Sequence, residues 1–239
     1  MDLRNLVKKL IPNAHAEGTP EVPFRMTPFG ELFAMSDPDA IAANEGSYFV
    51  ATNATPGTAV ATTTSITAYD ATKPVLSINN TSTVAQNKSI LLRYIRLRTQ
   101  QVPTSATDWF WTGEVDANSR YSSAGTAAGT PKSTNGLGTS LATILLGAVV
   151  LTAATAARRR IFQSIGRSVI PVINDDIIFD FTGKSFSAGS TLGGTVAVPI
   201  RIPCPPAIIM PQELFSLHGH GTSNAAAASW EYEIGYIER

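Results

Sequence analysis

The sequence predicts an all-β fold, an antiparallel β-sandwich preceded by an extended arm, and three observations point there. The first is the segment 229–239, in which Trp230, Tyr232, Ile234 and Tyr236 occupy alternate positions. Strand side chains alternate between two faces, so these four share one face while Glu231, Glu233 and Gly235 share the other. One dry face and one wet face is what an antiparallel sheet packed on a single side requires. The second is a series of short segments rich in Val, Ile, Thr and aromatics, separated by clusters of Gly, Pro, Asn, Asp and Ser. The third is the contrast at the start of the chain, where helical spacing and then dense proline replace the strand pattern.

With 239 residues the chain suffices for one large domain and an arm. Leu3, Leu6, Val7, Leu10 and Ile11 form one stripe of a helix, which Asp2 favours at its start and Pro12 ends. So short a helix is marginal alone and needs a surface to dock on. Residues 12–44 then carry Pro12, Pro20, Pro23, Pro28 and Pro38, a density that blocks helix interiors and central strands. Val22, Phe24, Met26, Phe29, Leu32 and Phe33 are too many apolar residues for a solvated linker. Residues 1–45 are therefore expected to be a helix and extended arm. Leu3, Leu6, Val7, Leu10, Ile11, Phe24, Phe29 and Phe33 are its candidate contacts with a neighbouring subunit. The spacing alone leaves docking on the chain's own domain, or on a membrane surface, as alternatives.

Residues 46–239 form the expected β domain. Strands are predicted over 47–53, 59–68, 75–79, 89–98, 109–115, 143–151, 160–165, 169–173, 177–181, 195–202, 213–218 and 230–237. Asn174-Asp175 supplies a tight hairpin turn, and the Ala/Gly/Ser/Thr tract 122–140 a long exposed loop. Many short strands without intervening helices indicate a sandwich or barrel. A jelly roll of two four-stranded sheets, with surplus strands added at the edges, is the expected form. The apolar stretch 141–157 followed by Arg158-Arg159-Arg160 resembles a short membrane span. It is rich in Thr and Ala and lies at the short end of the ~17–25 residues a span needs. Two buried strands joined near 152–155, with the arginines opening an exposed stretch, are expected instead.

Composition narrows the function. Charged residues make up 15% of the chain, against about 25% in average soluble chains. Eighteen Lys and Arg balance eighteen Asp and Glu, which leaves no electrostatic footprint for nucleic acid or an acidic membrane. A surface so poor in charge suits a subunit covered by its neighbours. The single Cys204 rules out an intrachain disulfide, and its setting between prolines is too rigid and isolated for a zinc site. Lys8 and Lys9 break the apolar stretch that a secretory leader would need.

Few residues suggest chemistry. His218-Gly219-His220 puts two imidazoles on one strand face, the start of a cupin-like metal site. No carboxylate follows before Glu231, and the remaining histidine is His15 in the arm. Turn or surface residues are the plainer expectation, and a metal shared between symmetry-related copies the alternative. Asp176 and Asp180 share a face but stand roughly 13 Å apart at about 3.3 Å per residue, too far for a glycosidase pair. Asp175 is first a turn former. Neither Gly-x-Ser-x-Gly nor a P-loop occurs. Trp109 and Trp111 share a strand face as a core girder or an interface patch. With Tyr121 and the 122–140 tract, they are also the candidate platform of a carbohydrate-binding module. Arg93, Arg96 and Arg98 could take phosphate, but pairing with carboxylates of a neighbouring subunit fits the zero net charge better. No catalytic residue and no cofactor is expected.

Two stretches carry a resemblance to a known class. One is 141–181, with Arg159-Arg160-Ile161-Phe162 and Ser168-Val169-Ile170-Pro171-Val172-Ile173. The other is Pro205-Pro206-Ala207-Ile208-Ile209-Met210-Pro211, Leu217-His218 and the closing Trp230–Arg239. In style they resemble the small β-sandwich structural proteins of tailed-bacteriophage virions. That resemblance implies a capsid-associated cement or decoration subunit, working as a homo-oligomer, with a trimer favoured, against other virion proteins such as the major capsid protein. The absence of a repetitive shaft favours the head over a fibre. A receptor- or carbohydrate-binding tail module and a cupin-like metalloenzyme are the competing classes.

Overall fold

The computed structural model describes residues 38–63, 67–101, 109–136, 138–163, 173–182, 200–221 and 227–239. The chain divides into two units, Met1–Pro38 and Asp39–Arg239. The helix expected in the first eleven residues, the proline-rich strap up to residue 37 and their apolar contacts lie outside the described residues, as does the predicted strand 169–173 except Ile173, which stands in a turn.

Among the described residues, helix α1 (Pro38–Glu45) comes first and fourteen strands follow. These are β1 (Tyr48–Thr52), β2 (Val60–Ala61), β3 (Leu76–Asn80), β4 (Ile90–Gln101), β5 (Trp109–Asp116), β6 (Tyr121–Ala127) and β7 (Lys132–Ser133). Then come β8 (Ala142–Leu151), β9 (Arg159–Gln163), β10 (Asp176–Asp180), β11 (Ile200–Pro203), β12 (Ile208–Ile209), β13 (Leu214–Gly221) and β14 (Ser229–Glu238). They build two packed sheets. Sheet one runs β11-β10-β4-β14-β1-β7, with β12 added against β4 and β2 against β14. Sheet two runs β6-β8-β3-β13-β5-β9. The neighbours pair antiparallel except β10 and β11, which run parallel. The all-β antiparallel sandwich expected from the sequence is what forms.

The core lies between the sheets and is built by the period-two residues. From β14 come Trp230, Tyr232, Ile234 and Tyr236, all buried, while Glu231 and Glu233 face outward. From β4 come Ile90, Leu92, Ile95 and Leu97. The apolar spacing skips a position between Leu92 and Ile95, and the register with β14 shifts there, leaving Arg93 as the extra residue of a bulge. Aromatic rings bridge the sheets: Trp111 meets Phe179 at 5.2 Å and Trp230 at 5.6 Å between centroids. Each such buried side chain contributes about 1.5–3 kcal/mol.

Several expectations change. The segment 38–45 is helical rather than extended, because Pro38 stands at the first helical position, where its missing N–H costs nothing. Asp39 in that first turn also holds Arg93, Nε to Oδ1 at 2.6 Å. The tract 122–140 is not one long loop: it includes most of β6, exposed throughout and paired with β8, and all of β7. The apolar stretch 141–157 supplies one strand, β8, not two, and Arg159 and Arg160 stand within β9. No helix among the described residues is long and apolar enough to cross a membrane.

Candidate functional site

The densest polar constellation lies on the outer face of sheet two, where β5 and β13 pair in register. Ser216 stands opposite Glu114, and His218 opposite Thr112. Alternation sends Trp111 and Val115 to the core, so Thr112, Glu114 and Asp116 point the other way. Yet Glu114 is 0% and His218 2% exposed, because residues 69–72 and 152–158 cover this face.

The covering segments are tied down by the charges beneath them. Glu114 accepts from the Tyr69 hydroxyl at 2.7 Å, from Arg158 at 3.3 Å and from Arg160 Nε at 3.1 Å. Asp116 accepts from Arg120 Nε at 2.5 Å and from the Thr155 hydroxyl. Arg120 also donates to the carbonyls of Ala71 and Thr152. Glu114 and Asp116 thus each meet at least one guanidinium, which lowers the cost of burying them. The acceptor Glu114 and burial together push the Tyr69 phenol up to about 12, with burial the larger cause.

His218 completes the network. Its Nδ1 lies 3.1 Å from the Asp70 carbonyl and its Nε2 3.0 Å from Ser216 Oγ. With Nδ1 protonated and donating to that carbonyl, Nε2 accepts the serine hydroxyl, the contact of a general base with a nucleophile. Burial lowers the imidazole to about 4, so at neutral pH it is uncharged. Both partners are buried, under 69–72, and the geometry works as a clamp on that segment.

The sequence-predicted residues fall as follows. His218 and His220 do share a strand face and both lie in β13 rather than in a turn; His218 is buried, whereas His220, next to the strand's end, stays partly exposed. The glycine between them serves the core: a Cβ at Gly219 would stand 2.6 Å from the Trp111 ring. The carboxylate that sequence spacing did not find is Glu114, 3.8 Å from His218 Nε2 and supplied by the neighbouring strand. His220 stacks on Phe110 at 5.3 Å. Among the described residues no three His, Cys, Asp or Glu side chains group to hold a metal.

Trp109 and Trp111 are 5% and 3% exposed, stacked on each other and packed on Trp230. They are the girder of the core, which removes them from the interaction surface and from any sugar platform. Tyr121 is exposed, on β6. Arg93, Arg96 and Arg98 pair with carboxylates of this same chain, Asp39, Asp176 and Glu233, where partners on another subunit were expected. Asp180 caps the backbone and hydroxyl of Thr182, and Cys204 is a buried thiol that burial pushes up to about 12.

No known protein family, curated protein or solved structure matches this chain.

Proposed function

We propose that the chain is a structural subunit of a virus particle, a jelly-roll protein of the capsid-associated type that assembles as a homo-oligomer, with a trimer favoured. The observation that supports the jelly-roll part of the reading is the strand order. Without its edge additions, sheet one is β10-β4-β14-β1 and faces β3-β13-β5-β9. Taken in chain order, these eight strands fit the order of the two Greek keys of a jelly roll, an architecture of viral capsid and lectin domains and of cupins, which supports that reading. The β6–β8 excursion between β5 and β9 is then an insertion that extends the second sheet beside β3.

Fold alone does not select among those functions. The virion reading draws on the charge-poor composition and on the use made of the main polar cluster. Glu114, Asp116 and His218 are spent on fastening surface segments to the sheet, as a shell subunit needs. The cupin-like alternative would have used His218 as a ligand, and the carbohydrate alternative Trp109 and Trp111. All three are buried in structural contacts.

The test is the mass of the purified full-length chain by light scattering over a wide concentration range, beside a variant lacking residues 1–37. A homo-oligomer is expected, with the truncated chain folded, β-rich and reduced in assembly. A full-length chain that stays monomeric at every concentration overturns the subunit reading. A truncated chain that fails to fold would assign the arm to its own domain's core.

A further inference from the structure

We propose that the outer face of sheet one carries a binding site for a neutral polyhydroxylated ligand the size of one sugar ring, in the gap between β1 and β2. The inference is independent of the subunit reading and rests on how the backbone opens that gap. Both β1 and β2 pair with the same edge of β14. β1 covers Glu233–Ile237 and β2 covers Ser229–Trp230. Between them the chain leaves the sheet as a loop, uncovering β14 at Glu231 and Tyr232.

The loop is held, not loose. Asn53 Oδ1 accepts from the Tyr232 N–H at 2.8 Å, standing in for the missing strand neighbour, and its Nδ2 donates to the Thr58 carbonyl at 2.6 Å. Pro56 and Gly57 form the outer wall. The result is a cavity of about 250 Å³ floored by Arg96, Arg98, Glu231 and Glu233. That is below the ~300–1,000 Å³ of sites for drug-sized molecules, and it limits the occupant to a single small ring.

Charge decides the class of ligand. Two arginines and two glutamates cancel, so the site concentrates neither an anion nor a cation. A phosphate would meet both carboxylates, and a metal ion both guanidinium groups. Arg96 is already engaged on both sides, by Asp176 at 3.0 Å and Glu233 at 3.4 Å. Arg98 reaches Asp176 only at 3.6 Å and remains 43% exposed. Glu231 pairs with Arg98 through the backbone, and its carboxylate makes no hydrogen bond or ion pair among the described residues. An Arg98 donor fork beside a Glu231 acceptor matches vicinal hydroxyls, each of which donates and accepts at once. Main-chain and Thr52 groups at the rim add neutral partners, and the Pro56 ring an aliphatic wall.

Saturation-transfer NMR on the full-length chain with the methyl glycosides of glucose, galactose and mannose tests this, with inorganic phosphate and glycine as competitors. At least one glycoside is expected to bind. Its Kd should rise at least tenfold in both Arg98→Met and Glu231→Gln, with an unchanged unfolding temperature, and neither competitor should displace it. Failure of all three glycosides to bind, binding that survives both substitutions, or displacement by phosphate or glycine overturns the proposal. Should Arg98→Met not fold, Glu231→Gln decides alone.

Discussion

On the outer face of sheet two, Glu114 and Asp116 are sealed beneath covering segments and matched by Arg158, Arg160 and Arg120. On the outer face of sheet one, Arg96, Arg98, Glu231 and Glu233 stand half open beside a cavity. The residue types are the same, and so is the pairing of acid with base. What differs is the water. Where segments fold over the charges, Arg120, Arg158 and Arg160 are committed to holding the chain. Where the chain loops away from β14, donors and acceptors are left with capacity to spare. Burial, rather than residue identity, separates a clamp from a candidate binding surface.

The comparison breaks most sharply at Arg120. Its side chain is 2% exposed and binds Asp116, Ala71 and Thr152 together. Arg120→Met leaves Asp116 buried without its cation, and a loss of about 3–5 kcal/mol is expected in denaturant unfolding. A change under ~1 kcal/mol would mean that the face is wetter than its geometry.

Acid provides the next test. The native imidazole of His218 is lowered to about 4 from its ordinary 6.5, so between these values the unfolded chain takes up a proton that the native chain does not. The stabilisation is full above 6.5 and is lost as pH falls toward 4, roughly 3 kcal/mol in all. His218→Gln should flatten that part of the stability–pH curve. An unchanged acid slope would show that other groups set it.

The smallest effect belongs to sheet one. Glu233 bonds the Tyr94 hydroxyl at 2.7 Å and Arg96 at 3.4 Å, but its side chain is 36% exposed. Glu233→Gln should cost less than about 1 kcal/mol by the same unfolding measurement. A cost equal to that of Arg120→Met would erase the distinction between the two faces.

The fold was legible where one rule dominated. Trp230, Tyr232, Ile234 and Tyr236 announce a half-buried strand because nothing competes with their alternation. The bulge at Arg93 was also written in the chain, as the three-residue step from Leu92 to Ile95, though only the register with β14 gives that step meaning. β6 was hidden because Ser122, Ser123, Ala124, Gly125 and Thr126 carry no strand pattern of their own. Pairing with β8 imposes one, with Ala124 and Gly125 at positive φ where the register shifts. α1 was hidden because Pro38 breaks a helix anywhere but at its start. The Glu114–His218 contact could not be read from spacing, since the two residues are neighbours only through the pairing of β5 with β13. For the same reason the two tryptophans, correctly placed on one face, were ambiguous between core and surface until Trp230 and Phe179 were seen to cover them.

The bond from the Asn53 side chain to the Tyr232 N–H joins residues 179 positions apart. β14 sits between β4 and β1, and every one of its pairings is of this distant kind. Among the described residues sheet one has no local hairpin from which to grow, and its assembly waits on the closure of very long loops. Such a topology is expected to fold in milliseconds to seconds and to unfold slowly, since β14 cannot detach without parting from both neighbours at once. Persistence in time, as distinct from depth of the free-energy well, is what this central strand confers on the sandwich.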